Sequence, residues 1–160
     1  MTRRPRKLRS LPQRAVLGAV AGAGATMALQ MLMKATAKAV PGSEPPMKQD
    51  PGELMVERAE EHVNIPDKLE GAAAKSLHLG YGMTSGALYG VMRRRAGSMF
   101  LDGALLGISV WAAGYLGWLP ATELMPPISE QSPRQIAVPI FNHIMFGLGV
   151  VTAYDGLMRI

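Results

Sequence analysis

The chain has 160 residues, a net charge of +5 and no cysteine. Its length suits one domain, and its apolar fraction of 48% is close to that of an ordinary soluble protein. The lack of thiols excludes disulfides, cysteine-based zinc sites and thiol nucleophiles, and the basic excess does not point to nucleic acid, because it is concentrated in runs beside apolar stretches, the usual positive anchors of membrane helices.

Residues 1–14 form a basic tail carrying Arg3, Arg4, Arg6, Lys7, Arg9 and Arg14. Four stretches beyond it contain no Asp, Glu, Lys or Arg: residues 15–33, 76–92, 103–122 and 136–154. Each is near the roughly 20 residues that a bilayer-spanning helix needs. In lipid each must satisfy its own backbone hydrogen bonds and so be helical. Three of them show no polar face at helical period, which a soluble surface helix needs. The expectation is an all-α protein, a four-helix transmembrane bundle over residues 15–160, with spans at about 15–37, 72–92, 101–120 and 136–157. The second stretch is the least hydrophobic, with His78, Thr84, Ser85 and several glycines. A basic start, an apolar run and small residues near Ala35 and Ala37 also fit a cleaved signal peptide, but the length of the run and three further spans argue against it.

Residues 41–71 form an outer loop with eight acidic and three basic residues. Asp50-Pro51-Gly52-Glu53 reads as a helix start, with an acidic N-cap, proline in the first turn and Glu three residues after the cap. A short extracytoplasmic helix over about 51–62 follows. Pro66, Asp67 and Glu70 then open the second span, with acids at its positive dipole end. One side of the membrane carries the tail, Arg93, Arg94, Arg95 and Arg159. The other carries Lys48, Arg58, Lys68 and Arg134. The asymmetry places both termini in the cytoplasm of a bacterial inner membrane, where Asp102 and Asp155 pair with the basic anchors.

The two halves resemble each other. Gly18 and Gly22 open the first span as Gly103 and Gly107 open the third. His78, Tyr81, Gly82 and Tyr89 recur at the same spacing as His143, Phe146, Gly147 and Tyr154, and each return helix ends in Met-Arg. The expectation is a duplicated helical hairpin, against the alternative of chance matching between glycine-rich helices. Gly82, Gly86 and Gly90 make a four-residue stripe, as do the pairs Gly18–Gly22 and Gly103–Gly107, and Gly147 joins them as a packing glycine. Small residues at this spacing let helix backbones approach closely, within one chain or between two.

His78 and His143 fall at similar distances from the basic ends of their helices. With Tyr81, Tyr89, Asn142 and Tyr154 they form a candidate intramembrane polar site, since polar and ionisable groups inside a span are costly. Two readings stand side by side: hydrogen bonds to a neighbouring helix, or proton relay and pH response. Two histidines make half a metal site, so no metal or cofactor is expected. No enzyme motif is present.

The runs His78-Leu79-Gly80-Tyr81-Gly82, Leu88-Tyr89-Gly90, Gly103-Ala104-Leu105-Leu106-Gly107 with Trp111 and Leu119-Pro120, and His143-Ile144-Met145-Phe146-Gly147 resemble the YagU-like group of small bacterial inner-membrane proteins. The resemblance implies a four-helix inner-membrane fold and carries over no activity, ligand or catalytic residue. The expected role is that of a non-catalytic structural or accessory subunit, packed in the bilayer against itself or a larger complex. The alternative is a proton- or ion-linked conduit using His78 and His143.

Overall fold

The computed structural model describes residues 9–47, 51–62, 66–93 and 97–159. The expectations placed on Arg3, Arg4, Arg6, Lys7, Lys48, Asp50, Arg94 and Arg95 lie outside these residues. Among those described, the chain is helical and contains no strand. Its elements are α1 (Leu11–Ala39), α2 (Pro51–Glu60), α3 (Asp67–Met92), α4 (Met99–Ala112) and α5 (Pro133–Arg159). Three helices are long and apolar enough to cross a membrane: α1, α4 with its continuation to Ala121, and α5. At 26 residues α3 has the length but, with its histidine, hydroxyls and glycines, not the hydropathy.

The helices begin where local chemistry starts them. Ser10 and Gln13 form a reciprocal capping box ahead of α1, Ser10 N donating to Gln13 Oε1 at 3.0 Å and Gln13 N to Ser10 Oγ at 3.5 Å. Ser132 and Gln135 repeat the arrangement at α5 at 3.0 and 3.3 Å. α1 therefore starts at Leu11, inside the expected basic tail, and draws Arg14 into the helix. α4 passes into a π-helical segment, Ala113–Trp118, in which Gly117 leaves helical geometry with φ −106° and ψ −106°. One further turn ends at a Schellman motif: Leu124 N donates to Leu119 O and Glu123 N to Pro120 O. Glu123 takes the left-handed position at φ 60°.

The long helices pack in the order α3–α1–α5–α4. α1 runs along α3 on one side and α5 on the other, and α5 runs along α4. α3 and α4 do not pack against each other along their lengths, so the expected bundle is open on one side. Ala21, Ala25 and Leu29 of α1 pack with Phe146, Val150 and Tyr154 of α5 in the centre. Trp111, Tyr115, Leu119, Leu124 and Met125 form a second core toward the other end. α2 lies on α3, with Gly52 seated on the Ala74 backbone.

Two glycine seams hold the outer pairs. A Cβ at Gly18 would overlap Gly86 O, and one at Gly22 would overlap Gly82 O. Between α4 and α5, a Cβ at Gly107 would overlap His143 O and one at Gly147 would overlap Gly103 O. Gly90 sits against Arg14 O. The two seams have matching geometry: Gly86 rests on Gly18 O and the Gly22 backbone as Gly147 rests on Gly103 O and the Gly107 backbone. Packing thus equates Gly86 with Gly147 and Gly82 with His143, whereas residue matching pairs Gly82 with Gly147. The two registers differ by one helical turn on the return helix, because α3 offers three stripe glycines where α5 offers one.

The seams carry a direct test. Gly86→Val forces a side chain into the Gly18 and Gly22 backbones and is expected to cost about 1–3 kcal/mol in unfolding from detergent micelles into SDS. Gly24, with no neighbouring atom within 4 Å, is the control: Gly24→Ala is expected to be neutral or slightly stabilising.

Candidate functional site

Two polar places lie at opposite ends of the open α3–α4 side. The first is built on Arg93, which follows the last turn of α3. Its side chain is 7% exposed, pairs with Asp155 of α5 at 2.9 Å and approaches Asp102 of α4 at 3.7 Å. It also donates to the Tyr89 hydroxyl one turn earlier. The Tyr154 hydroxyl donates to Gly90 O at 3.3 Å, and the Tyr89 and Tyr154 rings meet edge to face at 5.5 Å. Arg14 of α1 donates to Val91 O at 2.8 Å and to Arg93 O, satisfying carbonyls at the end of α3. A buried guanidinium flanked by two carboxylates thereby joins α3, α4 and α5, while Arg14 ties in α1.

The second place is a cavity of about 190 Å³ between α3 and α4, floored by α1 and α5. His78 and Tyr81 stand on α3, Tyr115 and Trp118 on the π segment, and His143 and Phe146 on α5. Met55 of α2 lines it as well, and no charged residue does so among those described. His143 Nδ1 lies 2.8 Å from Pro139 O. A carbonyl only accepts, so Nδ1 carries the proton and Nε2 of the neutral ring is an acceptor. The Tyr115 and His143 rings make a T-shaped contact with centroids 5.8 Å apart. Trp118 stands on the wall opposite Tyr81.

A smaller cavity of about 70 Å³ adjoins the first through Met33, Tyr115 and His143. Asn142, 4% exposed, lines it and donates to Thr36 Oγ1 at 3.1 Å, leaving Oδ1 without a protein partner. Ser43, 2% exposed, lines it too, and its Oγ is also unpartnered. Buried polar atoms at such cavities are ordinarily satisfied by water.

The six polar residues grouped from sequence therefore separate. His78, Tyr81 and His143 share the larger cavity, Asn142 faces the smaller one, and Tyr89 and Tyr154 belong to the Arg93 cluster. All eight packing glycines lie on seams within the chain. Asp102 and Asp155 meet a basic partner as expected, and it is the same one, Arg93. Sequence reasoning missed Arg14 as a cap of α3, Tyr115 as the neighbour of His143, and Thr36 and Ser43. Pro139, four residues before His143, was a readable signal: proline frees a turn of helix for unusual bonding. The aim of Tyr115 comes from the π segment, which no residue pattern announces.

No family model, curated protein or solved structure matches the chain. The likeness to the YagU-like group rests on the quoted motifs alone.

Arg93 gives the site its clearest test. Arg93→Met leaves two carboxylates facing one another without their cation and is expected to cost about 3–5 kcal/mol. The triple change Arg93→Met, Asp102→Asn, Asp155→Asn removes the charges together and is expected to recover most of that loss in the same SDS unfolding measurement.

Proposed function

We propose that the chain is a four-crossing protein of the bacterial inner membrane with both termini cytoplasmic, built from two duplicated hairpins. It acts without catalytic machinery as a structural or accessory subunit. The observation that carries the reading is the inverted distribution of its residues. Glycine backbones and the Arg93 ion pairs face inward. Val16, Val20, Met27 and Met31 on α1, Leu88 on α3, Leu105 and Leu116 on α4 and its continuation, and Phe141 on α5 are exposed. A water-facing surface would have this the other way round.

The fourth crossing follows from α1. From Gly90 beside Arg14, through Gly86 beside Gly18, to Gly82 beside Gly22, α3 lies backbone to backbone along α1. If α1 traverses lipid, α3 traverses it too. The matching seams support the duplication. Because the glycines are taken up within the chain, a partner must meet the bulky outward side chains instead.

The second reading, a proton- or ion-linked conduit, draws on His78 and His143 lining one cavity.

Topology is tested with the cysteine-free chain as its own background. Single cysteines at Glu57 and Gly97 flank α3. A membrane-impermeant maleimide is expected to label Glu57→Cys in intact spheroplasts and Gly97→Cys only after permeabilisation. Labelling of both from outside would remove α3 from the membrane. The subunit role predicts recovery of a larger assembly after gentle detergent extraction, and a monomer under every condition would contradict it. The conduit predicts proton flux in liposomes that the double change His78→Leu, His143→Leu abolishes, and no flux from the parent chain would dismiss it.

A further inference from the structure

We infer that the cavity between α3 and α4 binds one neutral membrane amphiphile: a hydrocarbon body bearing a hydroxyl group, an alcohol or phenol, whose O–H donates to His143 Nε2. The inference rests on the membrane reading above and adds a ligand to it.

Access comes first. α3 and α4 are not packed together, and Leu77 and Tyr81 at the rim are 42% and 44% exposed. In a bilayer that opening faces acyl chains, and an apolar slot open to them takes up hydrocarbon rather than water. The walls suit such an occupant. Leu29, Val110, Leu119 and Phe146 are apolar, and Met33 and Met55 are unbranched side chains that adapt to irregular shapes.

The polar requirement then narrows the class. His143 has given its Nδ1–H to Pro139 O, and Nε2 has no hydrogen-bond partner among the described residues. An acceptor in an apolar site calls for a donor, and an unmatched one weakens binding. A ketone, ester or quinone carbonyl could accept from His78, Tyr81 or Trp118 on the walls but brings no donor for His143 Nε2. A phosphate or carboxylate brings negative charge, and neither Lys nor Arg lines the cavity among the described residues. A hydroxyl satisfies the site with no charge to compensate. Tyr115, in T-shaped contact with the His143 ring, holds the imidazole from the α4 side.

The test uses a long-chain primary alcohol carrying a mid-chain diazirine, beside its methyl ether, with the full chain reconstituted in phosphatidylcholine vesicles. After photolysis the alcohol is expected to label residues 77–82 and 110–119 about fivefold more than the ether, the worth of one hydrogen bond. His143→Leu is expected to reduce alcohol labelling to the ether level. Leu77→Trp, at the partly exposed rim, is expected to suppress cavity labelling by both probes while labelling at Val16 and Val20 persists. Equal labelling of the cavity by alcohol and ether overturns the hydroxyl assignment. Labelling confined to the outward faces of vesicle-bound protein overturns the site but leaves the membrane reading intact. Protein that fails to float with the vesicles overturns both. If His143→Leu does not fold, the comparison of alcohol with ether on the parent chain decides the matter.

Discussion

Apolar helices gain nothing from one another in lipid, where the surroundings are as oily as the partner. What can hold them is close approach, and close approach needs helices without side chains in the way. The two glycine seams, α1 with α3 and α4 with α5, supply it. Gly18 and Gly86, Gly22 and Gly82, Gly103 and Gly147, and Gly107 and His143 bring carbonyl oxygens against Cα atoms of the facing helix. Each such contact contributes dispersion and a weak Cα–H···O bond, worth about 0.5–1 kcal/mol. Each glycine costs a helix about 1 kcal/mol relative to alanine. The sequence tolerates that cost where the backbone of another helix fills the space.

The rest of the architecture follows from these pairs. Because each pair is thin at its seam, the wider faces of α1 and α5 meet through Ala21, Ala25, Leu29, Phe146 and Val150. That arrangement leaves α3 and α4 apart. Arg93 then closes the opening at one end by reaching Asp155 and Asp102. Toward the other end Tyr81 and Trp118 stand on facing walls, and Tyr81 is exposed at the rim. The cavity with His78 and His143 lies where the two helices stay apart, away from the Arg93 closure. Its polar groups and the Arg93 cluster are thus separate features of one opening, and a substitution in one need not disturb the chemistry of the other.

Much of this was legible in residue order, for physical reasons. The helices were legible because charge-free runs of bilayer length have one stable backbone solution in lipid. The seams were legible because glycine at four-residue spacing has few other uses in such a helix. The pairing of Asp102 and Asp155 with a basic anchor was legible from their positions at helix ends. Other features depended on tertiary geometry. Tyr89 shares a helix face with His78, yet eleven positions separate them, about 16 Å at 1.5 Å per residue, and that places Tyr89 with Arg93. Residue matching aligns His78 with His143, whereas glycine packing aligns Gly82 with His143, one turn away. The open side was hidden because no residue marks two helices that do not touch. Ser10 and Gln13 did spell a capping box, which the interruption of the apolar run at Arg14 obscured.

The arrangement as a whole stands or falls on which helices are neighbours, and zero-length disulfide formation in native membranes reads that directly. Thr36→Cys with Asn142→Cys joins α1 to α5, where the native side chains are 3.1 Å apart. Met99→Cys with Thr152→Cys joins α4 to α5, where they are 3.4 Å apart. Leu77→Cys with Val110→Cys faces across the opening between α3 and α4. Efficient oxidation of the first two pairs and none of the third is the predicted result. A disulfide between positions 77 and 110, with the other two pairs left reduced, would contradict the helix order on which the seams, the Arg93 closure and the cavity all depend.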